Sequence, residues 1–337
     1  MPPLRIGIAG CGWAGARHAQ ALLEFPEKAA LVAVADVDES VAQARAEEWG
    51  ARAWYGDYDA LIAGADLDAV SLCLPHALHA DASIKSAYAG LHVLVEKPLA
   101  HSIAAAVAMI EAANRTGVVL MVAETVRFNP ALVRAAELIK EGFLGDVLLM
   151  RVERLHRMHH YLRSRPWFLS DPAGGIMMSG GIHDLETVRM LGGEIEHVYA
   201  LRAKQNLIEM HADDSSVALV GLKNDAVAIV IESFSARTHD TGIQVEVVGS
   251  KASMWIEGGS IRVYRADTDG DRTQLRELEA KPGDAFRNEI GHFLDCVGSG
   301  RQPLTNGQDQ LTPLAAVCAA YRSMETGRRV YLNEIMA

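Results

Sequence analysis

The chain has 337 residues, half of them hydrophobic and 22% charged, with 43 acidic against 32 basic side chains for a net charge of −11. That length exceeds what one hydrophobic core ordinarily serves, so two domains are expected, and nothing in the composition suggests a disordered or low-complexity tract. The negative balance excludes nucleic acid and anionic membrane surfaces as expected partners, because both demand concentrated positive charge, and no apolar run approaches a membrane span. Cys11, Cys73, Cys296 and Cys318 have no metal-ligand spacing and are read as reduced thiols. With Met1-Pro2-Pro3 passing straight into a strand pattern, no signal peptide is expected, and the cytoplasm is the expected compartment.

The first pattern, Leu4 to Ala9, is a strand. Gly10-Cys-Gly12-Trp-Ala-Gly15 follows and opens into a helical run over 16–23. A glycine turn between strand and helix lets backbone approach a diphosphate, which then rests on free N–H groups at the positive end of the helix dipole. The next strand, 30–35, ends at Asp36, whose carboxylate suits a ribose 2′-hydroxyl. A 2′-phosphate would instead meet Asp36, Asp38 and Glu39, with no basic residue before Arg45, so NAD is favoured over NADP. Helix 41–49, strand 51–55 and strand 68–74 come next. Pro75 and the loop His76-Ala-Leu-His79 then offer two histidines that could face a cofactor or cap a helix.

Helix 80–89 leads to Gly90-Leu-His-Val-Leu-Val-Glu96-Lys97-Pro98-Leu99. His92 to Val95 is too short for a helix and too apolar for a surface strand, which fits the centre of a parallel sheet covered on both faces. Its carboxyl end would deliver Glu96 and Lys97 into the crevice where open α/β sheets bind ligands. Pro98 cannot extend the ladder, and the Lys97–Pro98 bond is a candidate cis peptide. A helix over 103–115, stopped at Gly117, and a strand over 118–123 complete a doubly wound parallel sheet.

Past Glu124 the pattern changes. Arg127-Phe-Asn-Pro130 starts a helix ending at Gly142, and extended runs follow at 147–153, 195–201, 216–222, 226–234, 243–248, 252–257 and 260–264, with Gly258-Gly259 as a two-residue hairpin turn. Few helices separate these runs, so they predict a large, mainly antiparallel open sheet, one face of which could meet a partner subunit. Two closing helices carry Phe286, Ile290, Phe293, Leu294 and Val297, then Leu311, Leu314, Cys318 and Tyr321. The expected domains are therefore 1–124 and 125–337.

Between the first two of these strands, Trp167 to Glu186 is dense in glycine, and Ser179 and His183 share a helical face if the segment is helical. His156, His159 and His160 invite a metal reading, but no carboxylate or cysteine lies among them at ligand spacing, and no metal is expected. With Arg154, Arg157, Tyr161, Arg163, Arg165 and Trp167, the segment has hydrogen-bond donors and aromatic faces suited to a sugar or polyol, and equally to a solvated loop.

The ordered set of Gly-x-Gly-x-x-Gly, acidic strand end, Tyr55-Gly-Asp-Tyr58, Asp68-Ala-Val70, Pro75 with His79, Ala89-Gly90 and Val95-Glu-Lys-Pro98 resembles the Gfo/Idh/MocA family of NAD(P)-dependent oxidoreductases over essentially the whole chain. Arg127-Phe, Gly174-Gly175, Gly181-x-His183 and Tyr321-Arg-Ser-Met-Glu-Thr-Gly327 agree with it. The resemblance implies a Rossmann domain followed by an α+β domain, an α/β protein overall, with Lys97 and His183 flanking the reacting carbinol beside the nicotinamide. It implies a cofactor set of Gly10, Gly12, Trp13, Ala14, Gly15, Asp36, Leu74, Pro75, His76, His79, Glu96 and Lys97. Lys97, Arg127, His156, Trp167, Ser179 and His183 form the expected substrate set, and a homodimer or homotetramer through the C-terminal sheet is implied as well.

Three positions depart from the family pattern: Ala173 in the three-glycine run, Glu186 where aspartate is common, and Ser179 where a carboxylate is common. At an effective dielectric near 20, unit charges roughly 5 Å apart interact by about 3 kcal/mol, so losing a carboxylate at 179 lowers the pKa of a neighbouring His183 or Lys97. The expected activity is NAD-dependent hydride transfer from a secondary alcohol of a sugar, cyclitol or polyol, with His183 as base and Lys97 orienting the oxygen. The alternatives are a hydrolase or lyase in which retained NAD oxidises the sugar transiently, and a non-catalytic sensor of dinucleotide or sugar.

Overall fold

The computed structural model describes residues 2–170, 174–237, 243–266, 273–279 and 283–337. It divides into two compact units, one holding Met1–Thr125 with Asp284–Leu311 and the other Val126–Gly283 with Thr312–Ala337. Among the described residues, no helix is long and apolar enough to cross a membrane, and all four cysteines are free thiols.

In the first unit six strands, β1 (Leu4–Ala9), β2 (Ala29–Ala35), β3 (Ala53–Tyr55), β4 (Ala69–Leu72), β5 (His92–Glu96) and β6 (Leu120–Ala123), form a parallel sheet in the order β3-β2-β1-β4-β5-β6. Parallel strands need crossovers, and the helices Trp13–Leu22, Glu39–Trp49, Tyr58–Gly64, His79–Tyr88 and Ile103–Thr116 supply them. Burial on both faces explains why Val93, Leu94 and Val95 of β5 and every residue of β4 and β6 are inside. Asp38 and Ser102 cap their helices through side-chain oxygens, and Gly50 and Gly117 end theirs in the left-handed conformation. Strand order reverses between β1 and β4, which opens a crevice at their carboxyl ends. At the opposite edge, Asp68 accepts the Arg5 backbone N–H at 2.8 Å and its guanidinium at 3.0 and 2.8 Å, which holds the Asp68 carboxyl below the usual aspartate range.

Domain membership does not follow chain order. The helix Ala285–Ser299 belongs to the first unit, although the sequence reading placed all residues past 124 in the second. It packs on the helix Trp13–Leu22, with Ile290, Phe293 and Leu294 buried. The close approach depends on Gly291, where a Cβ would lie 2.9 Å from the Phe25 ring. Three ion pairs frame the contact: Arg17–Asp284 at 2.6 Å, Arg287–Glu24 at 2.7 Å and Lys28–Asp295 at 2.7 Å. Helical periodicity announces an apolar face; it does not say which surface receives it.

The second unit is built on nine strands: β7 (Val147–Leu155), β8 (Ile195–Arg202), β9 (Ser215–Leu222), β10 (Val227–Ser233), β11 (Ile243–Gly249), β12 (Ser253–Glu257), β13 (Ser260–Ala266), β14 (Thr273–Glu279) and β15 (Val330–Tyr331). Their order is β14-β13-β12-β11-β7-β10-β9-β8-β15, with β7 and β10 parallel and the other pairs antiparallel. Glu257 pairs with Ser260 around the Gly258-Gly259 turn. Alternation divides the sheet into two faces. Met150, Val152, Ala218, Val220, Ala228, Val230, Val245 and Val247 are buried, and the helix Gly181–Gly192 packs on β7 and β10.

The steric demands of the first loop generate a test. Gly10 has φ +93°. A Cβ on Gly15 would stand 2.0 Å from the Gly10 carbonyl oxygen, whereas one on Gly12 would meet nothing within 4 Å. Gly15→Ala is expected to lower stability by about 1–3 kcal/mol, while Gly12→Ala leaves thermal unfolding near wild type; differential scanning calorimetry of both variants checks it.

Candidate functional site

The loop after β1 is built to receive an anion. Gly12 caps the helix Trp13–Leu22 without a side-chain oxygen on its first N–H groups, so those donors and the positive end of the dipole are available to a diphosphate. Space above Gly12 is open. Just past the end of β2, the Asp36 carboxylate accepts the Cys11 N–H at 2.9 Å and the Asp38 N–H at 3.0 Å, which fixes it beside the loop with lone pairs left for a ribose hydroxyl. These features fit NAD. Trp13 is 56% exposed at the helix start, with its ring edge against Phe286, and Ala14 follows it.

The loops after β4 and β5 reach the same edge of the sheet. His79, expected as a cofactor contact, is wholly buried, with Nδ1 2.8 Å from the Pro98 carbonyl oxygen and Nε2 2.9 Å from that of Leu74. Both nitrogens are thus committed to protein, and its work is to tie the Leu74-Pro75 turn to the turn after β5. His76 is 4% exposed and stacks edge-on against His79 at 5.7 Å. Glu96, also expected in the cofactor set, turns inward. Its Oε1 lies 3.2 Å from Nε2 of His18 and its Oε2 accepts the Lys97 backbone N–H at 3.1 Å. Lys97 itself is half-buried at the strand end, and its bond to Pro98 is cis.

In the second unit the helices Ile176–Ser179 and Gly181–Gly192 follow one another with a break at Gly180. Ser179 donates its hydroxyl to the Gly175 carbonyl at 2.8 Å. His183 lies half-buried in the first turn of the second helix, just ahead of two anchored acids. Asp184, wholly buried, receives Arg154 of β7 at 2.7 and 3.1 Å. Glu186, also wholly buried, receives Arg189 at 2.8 and 2.9 Å and Arg127 at 2.5 Å. Burial raises the Glu186 pKa against the pull of those two guanidinium groups. Arg127, expected on the substrate, is thus an ion-pair partner of the helix that carries His183.

Glycine density here reflects close approach. A Cβ on Gly175 would lie 2.0 Å from Asp213 Oδ1 and 2.3 Å from the Tyr321 hydroxyl. Asp213 accepts that hydroxyl at 2.8 Å and the Met177 N–H at 3.2 Å, and the Tyr321 oxygen accepts the Met178 N–H at 3.2 Å, so the first turn of helix is pinned from below. Ala173, with Asp171 and Pro172, lies outside the described residues.

The donor-rich segment is partly spent on the protein itself. His156 extends the β7–β10 pairing by donating its N–H to Ser233 at 2.8 Å, and the His159 ring contacts Ser235 Oγ at 2.9 Å. Trp167 packs at the edge of an apolar cluster of Leu162, Phe168, Ile176, Leu207, Met210 and Phe234. Arg165 stacks on Tyr161 at 3.6 Å and Arg163 pairs with Glu209 at 2.8 Å.

Sequence reasoning passed over Glu232, which is wholly buried on β10 and held toward its neutral form by burial and by the Asp184 carboxylate. The signal was present: period-two alternation puts 228, 230 and 232 on one face, so a glutamate at the third position enters the core.

Comparison with known proteins agrees with this architecture. Residues 4–124 match the model of the GFO/IDH/MocA oxidoreductase family with an NAD-binding Rossmann fold, and residues 132–255 match the C-terminal domain of the same family. The chain is 30% identical to D-xylose 1-dehydrogenase (NADP(+)) 2 of Haloferax volcanii, covering 98% of this chain and 100% of that protein. It is 28% identical to myo-inositol 2-dehydrogenase of Thermotoga maritima, covering 99% and 100%. Levoglucosan dehydrogenase, solved with NADH and levoglucosan, shares the fold with a TM-score of 0.89 at 23% identity, covering 98% of this chain and 99% of that one. From the glycine loop and the Glu-Lys-Pro strand end through the C-terminal sheet, the chain belongs to the Gfo/Idh/MocA family of oxidoreductases.

Proposed function

We propose that this protein oxidises a secondary alcohol of a sugar, cyclitol or related polyol with NAD as acceptor, and that Lys97 and His183 carry the reaction. The observation that carries the reading is the delivery of Lys97 by β5 to the sheet edge where the uncapped helix start and Asp36 also lie. Bound NAD supplies the hydride acceptor. Lys97 donates a hydrogen bond to the carbinol oxygen and stabilises charge as the C–H bond breaks, and His183 takes the hydroxyl proton as C=O forms. Arg154 already neutralises Asp184, and Ser179 adds no charge, so a neutral imidazole suits His183. Relatives named for D-xylose and myo-inositol support a polyhydroxylated substrate. Asp36, Asp38 and Glu39 oppose a 2′-phosphate and support NAD.

Self-association through the second sheet is part of the proposal, as is work in the cytoplasm as a homodimer or homotetramer. On the face away from the Gly181–Gly192 helix, Val227 pairs with Leu149, and Leu219 sits beside Ile229 and Tyr199. Leu149, Leu219, Val227 and Leu201 remain between 44% and 55% exposed, a contiguous apolar face suited to a second copy of itself. Sedimentation of wild type against Leu219→Glu tests it: the variant is expected to shift to monomer, and a wild-type monomer overturns it.

For the chemistry, absorbance of reduced nicotinamide is followed with inositols, aldoses, anhydrosugars and sugar acids. Turnover is expected with NAD, falling by about 10²-fold or more in Lys97→Met with NAD still bound. No net reduction across the panel despite bound NAD overturns the reading in favour of transient oxidation or sensing. The acidic limb of the pH–rate profile is expected to vanish in His183→Ala, and its persistence removes His183 from the role of base. Asp36→Ala is expected to narrow the preference for NAD over NADP, read as the ratio of kcat/KM values.

A further inference from the structure

Beneath Lys97 lies a buried set of charged groups that neither the nucleotide loop nor the proposed chemistry uses. His18, wholly buried in the helix Trp13–Leu22, places Nδ1 2.7 Å from the Ser71 hydroxyl oxygen of β4 and Nε2 3.2 Å from Glu96 Oε1. The Phe286 ring stands edge-on to the imidazole at 5.9 Å. Glu289, one helical turn further along the helix that carries Phe286, is wholly buried, and among the described residues neither of its carboxyl oxygens has a hydrogen-bond partner. His18, Glu96 and Glu124 all act electrostatically on Glu289. The basic ring thus faces Glu96 directly and Glu289 through its field, with the Cys73 thiol beside Ser71 at 3.7 Å.

We propose that His18 is a positioning residue for Lys97, its imidazolium holding the Glu96 carboxylate in the one place from which Glu96 can receive the Lys97 backbone N–H. The cation meets Glu96 as an ion pair through Nε2 at 3.2 Å and donates Nδ1–H to Ser71, which frees the Ser71 proton for the Cys73 sulfur. Burial opposes the charge on His18, but the Cys73 sulfur and the Glu96 carboxylate overcome it and hold its pKa well above the usual histidine value. Burial drives Glu289 the other way, well above the usual carboxyl range, so Glu289 stays neutral and leaves Glu96 as the anion that His18 meets. A carboxylate anchored on one oxygen by a fixed cation holds the peptide on its other oxygen, and with it the direction in which the Lys97 side chain leaves the strand.

This inference rests on the proposed role of Lys97 and is tested beside it. His18→Gln keeps an N–H for Glu96 and removes the charge. Its kcat is expected to fall about tenfold or more while NAD affinity stays within about threefold, because Lys97 is misplaced and the nucleotide loop is not. Its alkaline limb is expected to move up by about one pH unit, because deleting a neighbouring cation raises the pKa of an ammonium, and a packing role alone would not move it. Unchanged kcat and an unchanged limb overturn the proposal. Nitrogen NMR of 15N-histidine-labelled wild type covers the case in which the variant does not fold: both His18 nitrogens are expected to remain protonated at pH 7, and a neutral ring overturns it. If Lys97→Met retains full turnover, the role of Lys97 has failed; the NMR result reports on His18 regardless.

Discussion

A carboxylate and an ammonium leave one buried strand in succession, and the burial of the first is the constraint around which the N-terminal unit is arranged. Glu96 cannot stay ionised inside an apolar sheet without a partner, because desolvation of a lone carboxylate costs more than the sheet contributes at that point. His18 answers it from the first helix, and the cation in turn needs sealing from water. That seal comes from the helix Ala285–Ser299, which brings Phe286 to the ring and Glu289 to the same interior. A segment nearly 200 residues later in the chain therefore completes the first sheet, and its docking through Gly291, Arg17 and Arg287 follows from that requirement.

The second unit meets a parallel problem with a different answer. Its His183 helix carries two wholly buried acids, Asp184 and Glu186, and each is matched by arginine: Arg154 from the sheet for one, Arg127 and Arg189 for the other. Removing one partner of such a pair leaves an uncompensated buried charge, so these arginines serve geometry before they serve any ligand. With Asp213 and Tyr321 fixing the preceding turn, the helix start has little freedom to shift. Preorganisation of this kind suits the role of base proposed for His183.

Much of this was legible in the sequence. The parallel sheet, the cap at Gly117, the Gly258-Gly259 hairpin and the Lys97–Pro98 bond each rest on a local rule: apolar runs of strand length, glycine where φ is positive, proline where the ladder stops. The candidate residues are less evenly legible. Gly12, Asp36 and Lys97 lie where a strand–turn–helix pattern puts them. The family resemblance places His79, Glu96 and Arg127 on ligands, and in the structure their polar atoms also engage carbonyls, an imidazole and a buried glutamate.

The sequence by itself determined the order of elements, the α/β class, the sheet edge at which the glycine loop and Lys97 emerge, and the alternation that places Glu232 inside. All of these follow from periods of two or 3.6 residues and from the backbone limits of glycine and proline, which act over a few positions. Only the tertiary structure decided that 284–311 joins the first unit, that β7 pairs in parallel with β10, and which charges meet in the interior. The last of these depends on an ion pair across 78 positions from His18 to Glu96 and on electrostatics across 271 from His18 to Glu289. A helical face or an inward carboxyl announces that it needs a partner, and only closure of the chain supplies one.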